Sequence, residues 1–161
     1  MRRPIGLAAL VPLIFLTDRI FKIFILQNIP EGESLPLIPG FLHLTRVNNT
    51  GAAFGILRGS GGFLTAVSVM VIVLLSGLLL HNLTASGKPG PSVHTMDFAS
   101  PFIIAGAMGN LYDRIRYGYV IDFLDFRFWP VFNLADASIC LGVFLIVFYF
   151  LKGRLVRNGR A

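Results

Sequence analysis

Reading the chain for hydrophobic and polar positions gives four long apolar runs separated by polar stretches. The first, 5–26, follows Arg2 and Arg3 and is interrupted by Asp18, Arg19 and Lys22 before Ile23, Phe24, Ile25 and Leu26 resume it. At 1.5 Å per residue, a helix of that length reaches across about 30 Å of hydrocarbon. Arginines before an apolar run resemble a cleavable leader. No A-x-A-like pattern closes the run, so it is expected to stay as a first span. The second run, 63–83, carries no Asp, Glu, Lys or Arg. The third starts at Asp97, a suitable N-cap, and fills 98–117 only if the helix continues past Asp113 and Arg114. The fourth, 133–151, opens with Asn133 and Asp136 and runs into Lys152, Arg154, Arg157 and Arg160.

The connections differ in character. Segment 27–60 holds Pro30, Pro36, Pro39 and Gly40, a strand-like FLHLTRV over 41–47, and a turn signal in Asn48-Asn49-Thr50-Gly51. The small apolar stretch 51–57 fits either a second strand or an element dipping into a surface. Segment 85–95 is a Gly/Pro loop carrying Lys88 and His94, and His81 is expected at the end of a span. Aromatic Phe126, Phe128, Trp129 and Phe132 precede the fourth run and suit a membrane interface. Ala105, Gly106, Ala107 and Gly109 offer surfaces on which helices approach closely. The expected fold is a single membrane all-α domain of four transmembrane helices over 1–161.

Composition supports a bilayer as solvent, because 55% hydrophobic with 14% charged residues is too apolar for a soluble domain. The net charge of +6 does not indicate nucleic acid, since basic residues flank the outer runs at both ends of the chain. By the positive-inside rule those ends lie in the cytoplasm. Four spans then bring Asp18, Asn49, Asn110, Arg114, Asp122, Asn133 and Asp136 near the outer membrane surface, which one polar site explains. Cys140, the one cysteine, forms no intrachain disulfide and is expected as a small buried apolar residue.

Ionisable groups at membrane depth are expensive and point to function. His43, His81 and His94 fall in different regions, so no Ser/His/Asp arrangement is expected, and no Cys/His cluster offers zinc ligands. Carboxylates remain. Two aspartates close together share a proton, so one acts as base and the other as acid on a water attacking a carbonyl, with no cofactor or metal. Asp113 and Asp125 have arginines one or two residues away and are expected to pair with Arg114, Arg116 or Arg127 at the surface. Asp136 opens an apolar helix, and Asp122 is flanked by Val120, Ile121, Phe123 and Leu124, a setting that raises its pKa. Asp122 and Asp136 form the best dyad. A transporter with Asp18, Lys22, Asp122 and Asp136 as a proton relay is the rival reading, and a non-catalytic assembly subunit is a third.

Four motifs narrow the choice. Asn49-Thr50-Gly51-Ala52-Ala53-Phe54, Gly109-Asn110-Leu111-Tyr112-Asp113-Arg114, Val120-Ile121-Asp122-Phe123 and Phe132-Asn133-Leu134-Ala135-Asp136-Ala137 occur in order. Together they resemble the bacterial lipoprotein signal peptidases, the signal peptidase II family. Asp18-Arg19-Ile20-Phe21-Lys22 is similar to the family's first-helix motif, although Arg19 stands where Gln is more usual; the departure is expected to be harmless. The resemblance implies an aspartic endopeptidase of the bacterial cytoplasmic (inner) membrane, acting near its outer surface; a monomer suffices for this, and the sequence leaves the oligomeric state open. Its substrate would be a prolipoprotein whose cysteine already bears diacylglyceryl, cut just before that cysteine. Asp122 and Asp136 match the catalytic dyad, while Asn49, Asn110, Arg114 and Asn133 match residues around the substrate. Asp18 and Lys22 match a supporting polar pair. The family also implies a small extracytoplasmic β-cradle between helices 1 and 2, and a mobile cover in the 122–136 connection.

Overall fold

The computed structural model describes residues 7, 9–51, 59–84 and 91–158. Four helices carry the chain: α1 (Leu10–Asn28), α2 (Gly61–Thr84), α3 (Pro91–Tyr117) and α4 (Leu134–Asn158). Three strands, β1 (Ser34–Ile38), β2 (Leu42–Asn49) and β3 (Val120–Asp125), form one antiparallel sheet in the order β1-β2-β3. The architecture is mostly helical with a small sheet. Helix α3 is central, packing against α1, α2 and α4.

The first helix is inside-out. Its buried residues are Asp18, Arg19, Lys22 and Ile25, whereas Leu13, Leu16, Ile20 and Phe24 lie outward. Ile20 is 66% exposed while Lys22 is fully buried. A helix of a soluble protein turns its apolar stripe inward; the opposite polarity suits a hydrocarbon exterior. Two helices, over Gly61–Asn82 and Leu134–Lys152, are long and apolar enough to cross a membrane on length and composition alone. In α1 and α3 the charged residues that interrupt the apolar pattern include side chains turned inward.

Two features differ from expectation. The sheet is not confined to the connection between the first two helices, because its third strand comes from the connection between α3 and α4. VIDFLD does not alternate, being buried almost throughout, yet it pairs with β2, placing Asn49 opposite Val120 and Val47 opposite Asp122. Helix α3 begins at Pro91, not at 98, so His94 is helical rather than in a loop and Asp97 is an interior residue. Asp97 is buried and accepts a hydrogen bond from Asn82 Nδ2 at 3.0 Å instead of capping its helix. Residues 52–58, where a further strand or dipping element was open, and Lys88 lie outside the described residues.

Gly118, at φ +81°, ends α3 and turns the chain into β3, with its N–H on the Arg114 carbonyl at 3.0 Å. Ile25 of α1 and Ile29, just past its end, pack with Leu44, Ile121 and Phe123 of the sheet. This cluster fixes the sheet on the end of the first helix. The small residues of α3 do what their size suggests: a Cβ on Gly106 would collide with the Ala135 carbonyl oxygen and meet Ile139 Cγ1 at 2.7 Å. Gly106→Ala therefore forces α3 and α4 apart and costs about 1–3 kcal/mol. A Cβ on Gly77 meets nothing within 4 Å, so Gly77→Ala is expected to hold or raise stability by up to about 1 kcal/mol. Thermal unfolding of both variants in one detergent checks the contrast; equal melting temperatures would show that the glycine contact is not limiting.

Candidate active site

Strands β2 and β3 border one cavity of about 790 Å³. Val47, Asn48 and Asn49 from β2 line it with Val120 and Asp122 from β3, and the two β3 residues share one face of their strand. Asn110 and Arg114 reach it from α3, four residues apart on one helical face. Asp136, Ala137 and Cys140 come from the first turns of α4, and Trp129, Pro130, Val131 and Phe132 from the connection before it. Cys140 is exposed toward this space, one turn beyond Asp136, and is not the buried apolar residue expected.

Asn133 caps α4. Its Oδ1 accepts the Asp136 N–H at 2.8 Å, and the Asp136 carboxylate reaches back to the Asn133 N–H at 3.4 Å. This is a capping box with aspartate in the third helical position. Asp18 Oδ1 satisfies the Ala135 N–H at 3.1 Å, so two of the helix's orphan donors end on side chains of this site. The positive end of the helix therefore faces Asp136.

Three asparagine amides converge on the two carboxylates. Asn49 Nδ2 donates to Asp122 Oδ2 at 2.9 Å, and Asn133 Nδ2 donates to Asp122 Oδ1 at 2.7 Å. Asn110 Nδ2 donates to Asp136 Oδ1 at 2.7 Å. Each amide is oriented by a donor on its oxygen: Gly51 N–H for Asn49, the Asp136 N–H for Asn133, and the Lys22 ammonium for Asn110 at 3.1 Å. An ammonium or a backbone N–H cannot accept, so each NH2 is turned to its aspartate. Asn133 Nδ2 also bridges to Asn110 Oδ1 at 3.2 Å, joining the two halves.

Asp122 lies on β3, where burial and the charge of Asp136 push its carboxyl up to about 7; hydrogen bonds from Asn49 and Asn133 and the charge of Lys22 act in the opposite direction. Arg114 lies within electrostatic reach of both carboxylates. The arrangement can hold one proton between two carboxyl groups beside a space large enough for a peptide.

Behind the cavity is a buried ion cluster. Lys22 Nζ pairs with Asp18 Oδ2 at 3.1 Å and Asp113 Oδ2 at 2.7 Å; Arg19 pairs with Asp18 Oδ2 at 2.9 Å and Asp113 Oδ1 at 2.6 Å. Asp113 is completely buried and also accepts the Ile121 N–H at 3.2 Å. The expected surface pairing of Asp113 with Arg114 or Arg116 is therefore wrong, and Arg19 is a structural member of the site. Sequence proximity favoured the wrong partner, since the true ones lie on another helix more than 90 residues away. The available signal was Arg19 itself, a cation inside an apolar run that needs counter-charges. Asp125 does pair with Arg127, at 3.4 Å. Burial alone would raise its pKa, but the Thr45 hydroxyl, the Arg127 N–H and the Arg127 charge outweigh that and lower it.

Comparison with known proteins gives concordant results. The family model described as signal peptidase (SPase) II matches residues 10–152. A lipoprotein signal peptidase of Halothermothrix orenii is 43% identical over 139 residues, covering 86% of this chain and 90% of that protein. One from Moorella thermoacetica is 41% identical over 134 residues, covering 83% and 85%. Among solved structures, a bacterial membrane enzyme determined by the in meso method at 2.3 Å superposes with a TM-score of 0.80 at 31% identity, covering 94% of this chain and 91% of that one.

The ion cluster makes a stability prediction. Asp113→Ala strands Arg19 and Lys22 with Asp18 as their remaining carboxylate in the cluster, and breaking a buried pair in this way costs about 3–5 kcal/mol. A markedly lower yield and melting temperature of the folded variant in detergent is expected. A melting temperature within a degree or two of the parent would remove the cluster's structural role.

Proposed function

The chain belongs to the signal peptidase II family, a family of membrane proteases, and from that premise we propose that it cleaves diacylglyceryl-modified prolipoproteins just before the lipidated cysteine, using Asp122 and Asp136. The observation that carries this reading is the convergence of three oriented asparagine amides on two carboxylates in one cavity. In the proposed setting all four helices cross the cytoplasmic membrane of a bacterium, the termini are cytoplasmic, and the sheet lies at the outer surface. A substrate with acyl chains in the bilayer then offers its scissile bond at the level of the dyad.

The chemistry follows from the shared proton. One carboxylate removes a proton from water as the oxygen attacks the scissile carbonyl carbon, and the protonated partner donates to the carbonyl oxygen. Collapse of the resulting gem-diol transfers a proton to the nitrogen and breaks the C–N bond. The signal peptide leaves with a new carboxylate and the lipoprotein with a new amino terminus. Arg114 is assigned to a substrate backbone or ester oxygen, where a guanidinium offers several donors. Asn49, Asn110 and Asn133 hold the carboxylates and border the substrate, and Asp18 and Lys22 support Asn110 and the start of α4. Neither cofactor nor metal is required. The relay reading gains nothing from Asp18 and Lys22, whose charges are consumed in fixed pairs.

Two measurements test this proposal. Purified protein in lipid or detergent is expected to cut a diacylglyceryl-bearing prolipoprotein and to leave the unmodified precursor largely uncut. Asp122→Asn and Asp136→Asn are each expected to abolish cleavage with helicity and melting behaviour retained; near-normal processing by either folded variant would discard the dyad. The second concerns pH. With Asp122 at about 7, the shared proton is lost as pH rises through that value, so kcat/KM should fall on the alkaline side. Asn49→Ala removes a hydrogen bond that favours the carboxylate, raising the pKa further and moving the falling limb to higher pH. An unmoved limb would show that another group controls it.

A further inference from the structure

The segment between β3 and α4 forms the roof of the cavity, through Trp129, Pro130, Val131 and Phe132. One end is tied to β3 by backbone bonds: Leu124 N–H to Phe132 O at 2.7 Å and Phe132 N–H to Leu124 O at 3.1 Å. The other end turns at Arg127, whose φ of 64° is a left-handed conformation that a side chain with a Cβ rarely adopts. Something must hold it there. The Arg127 N–H donates to Asp125 Oδ1 at 2.8 Å, and its guanidinium reaches all three strands. Nε donates to His43 Nδ1 on β2 at 3.0 Å, NH2 donates to Ser34 Oγ on β1 at 3.0 Å, and NH1 pairs with Asp125 Oδ2 on β3 at 3.4 Å. Asp125 is itself held by the Thr45 hydroxyl at 2.6 Å.

We propose that Arg127 is a positioning residue for peptide binding: a clamp across the sheet that sets the height of the roof over Asp122 and Asp136. It touches neither aspartate among the contacts described, so it acts through the segment it holds. The guanidinium suits this task because its fork of donors addresses several acceptors in fixed directions, which an ammonium does not. Its side chain remains 46% exposed, so the clamp is outside the buried framework that orients the dyad. Ring contacts join the same segment to the sheet side: Phe126 stacks on Phe132 with centroids 5.9 Å apart and meets Phe41 edge-on at 5.5 Å.

The proposal rests on the cavity being the peptide site, and the protein supplies a probe independent of cleavage. Trp129 is the chain's single tryptophan and lies two residues beyond the clamp. Arg127→Ala and Arg127→Gly are compared with the parent by Trp129 fluorescence anisotropy decay and by KM and kcat on a lipidated prolipoprotein. Glycine adopts the left-handed turn freely, so it removes the side chain while keeping the backbone accessible. Both variants are expected to show faster local motion of Trp129 and a KM raised severalfold with kcat little changed, since binding is loosened while the dyad keeps its hydrogen bonds. Parent-like Trp129 motion in Arg127→Gly would assign the roof to the backbone turn and overturn the clamp. Loss of kcat at unchanged KM would overturn it too, by placing Arg127 in the chemical step. If the parent cleaves nothing, the anisotropy comparison still decides whether the clamp exists, while failure of the functional reading shows separately.

Discussion

The site depends on three amide side chains that cannot turn around. Each asparagine oxygen is occupied by a group able only to donate, so each NH2 group is directed at a carboxylate. Lys22 matters most here, because its ammonium is fully buried and reaches Asn110 from behind. Take away that donor and only the 3.2 Å bond from Asn133 Nδ2 holds the Asn110 oxygen in place; a flipped amide would set its oxygen against Asp136, acceptor to acceptor. The orientation of the cavity's polar edge is thus settled one layer behind it.

That layer explains why the first helix turns its charges inward. Two aspartates, one lysine and one arginine balance to zero formal charge, and their contacts are short. Such a cluster is a weak source of stability compared with apolar packing, since desolvation offsets much of the attraction. What it contributes is register. Asp18 is bound to Arg19 and Lys22 on its own helix and to the Ala135 N–H of α4; Asp113 joins α3 to the same cations and to β3 through the Ile121 N–H. Sliding any of these elements by one residue would leave a buried charge unpaired. Gly109 makes the approach possible, because a Cβ there would meet Asp18 Oδ2 at 2.8 Å.

Much of this was legible in the sequence where signals were local. The apolar runs mark the helices, FLHLTRV marks a strand, and Asp18 with Lys22 four residues on forms a pair, as helical spacing requires. The convergence of Asn49, Asn110, Asn133, Asp122 and Asp136 was reachable from motif order. What could not be read depends on long-range pairing. VIDFLD becomes a strand only because β2 lies beside it, and SLPLI accommodates Pro36 as an edge strand. Asp113 looked like a surface residue because its nearest cations in sequence are Arg114 and Arg116, yet its ion pairs are with Arg19 and Lys22 of α1. Cys140 carried a readable signal that was passed over: it stands four residues after Asp136 and so shares its face.

The two sides of the cavity are built by different physics, and the difference bears on how a substrate enters. The floor is fixed by side chains with 0–1% exposure (Asp18, Lys22, Asp113, Asn133), whose rearrangement would require moving charge or amide through an apolar interior. The roof is fixed by an exposed guanidinium, a few hydroxyl and imidazole contacts, and ring contacts among Phe41, Phe126, Phe128 and Phe132, of which Phe128 is 74% exposed. Interactions of that kind are individually weak in water and are replaced by water at little cost. Under the proposed function, a lipid-anchored peptide arriving along a membrane has to pass one of these walls. The energetic asymmetry makes the roof the less costly wall to displace, since the hydrogen bonds that orient the aspartates belong to the floor.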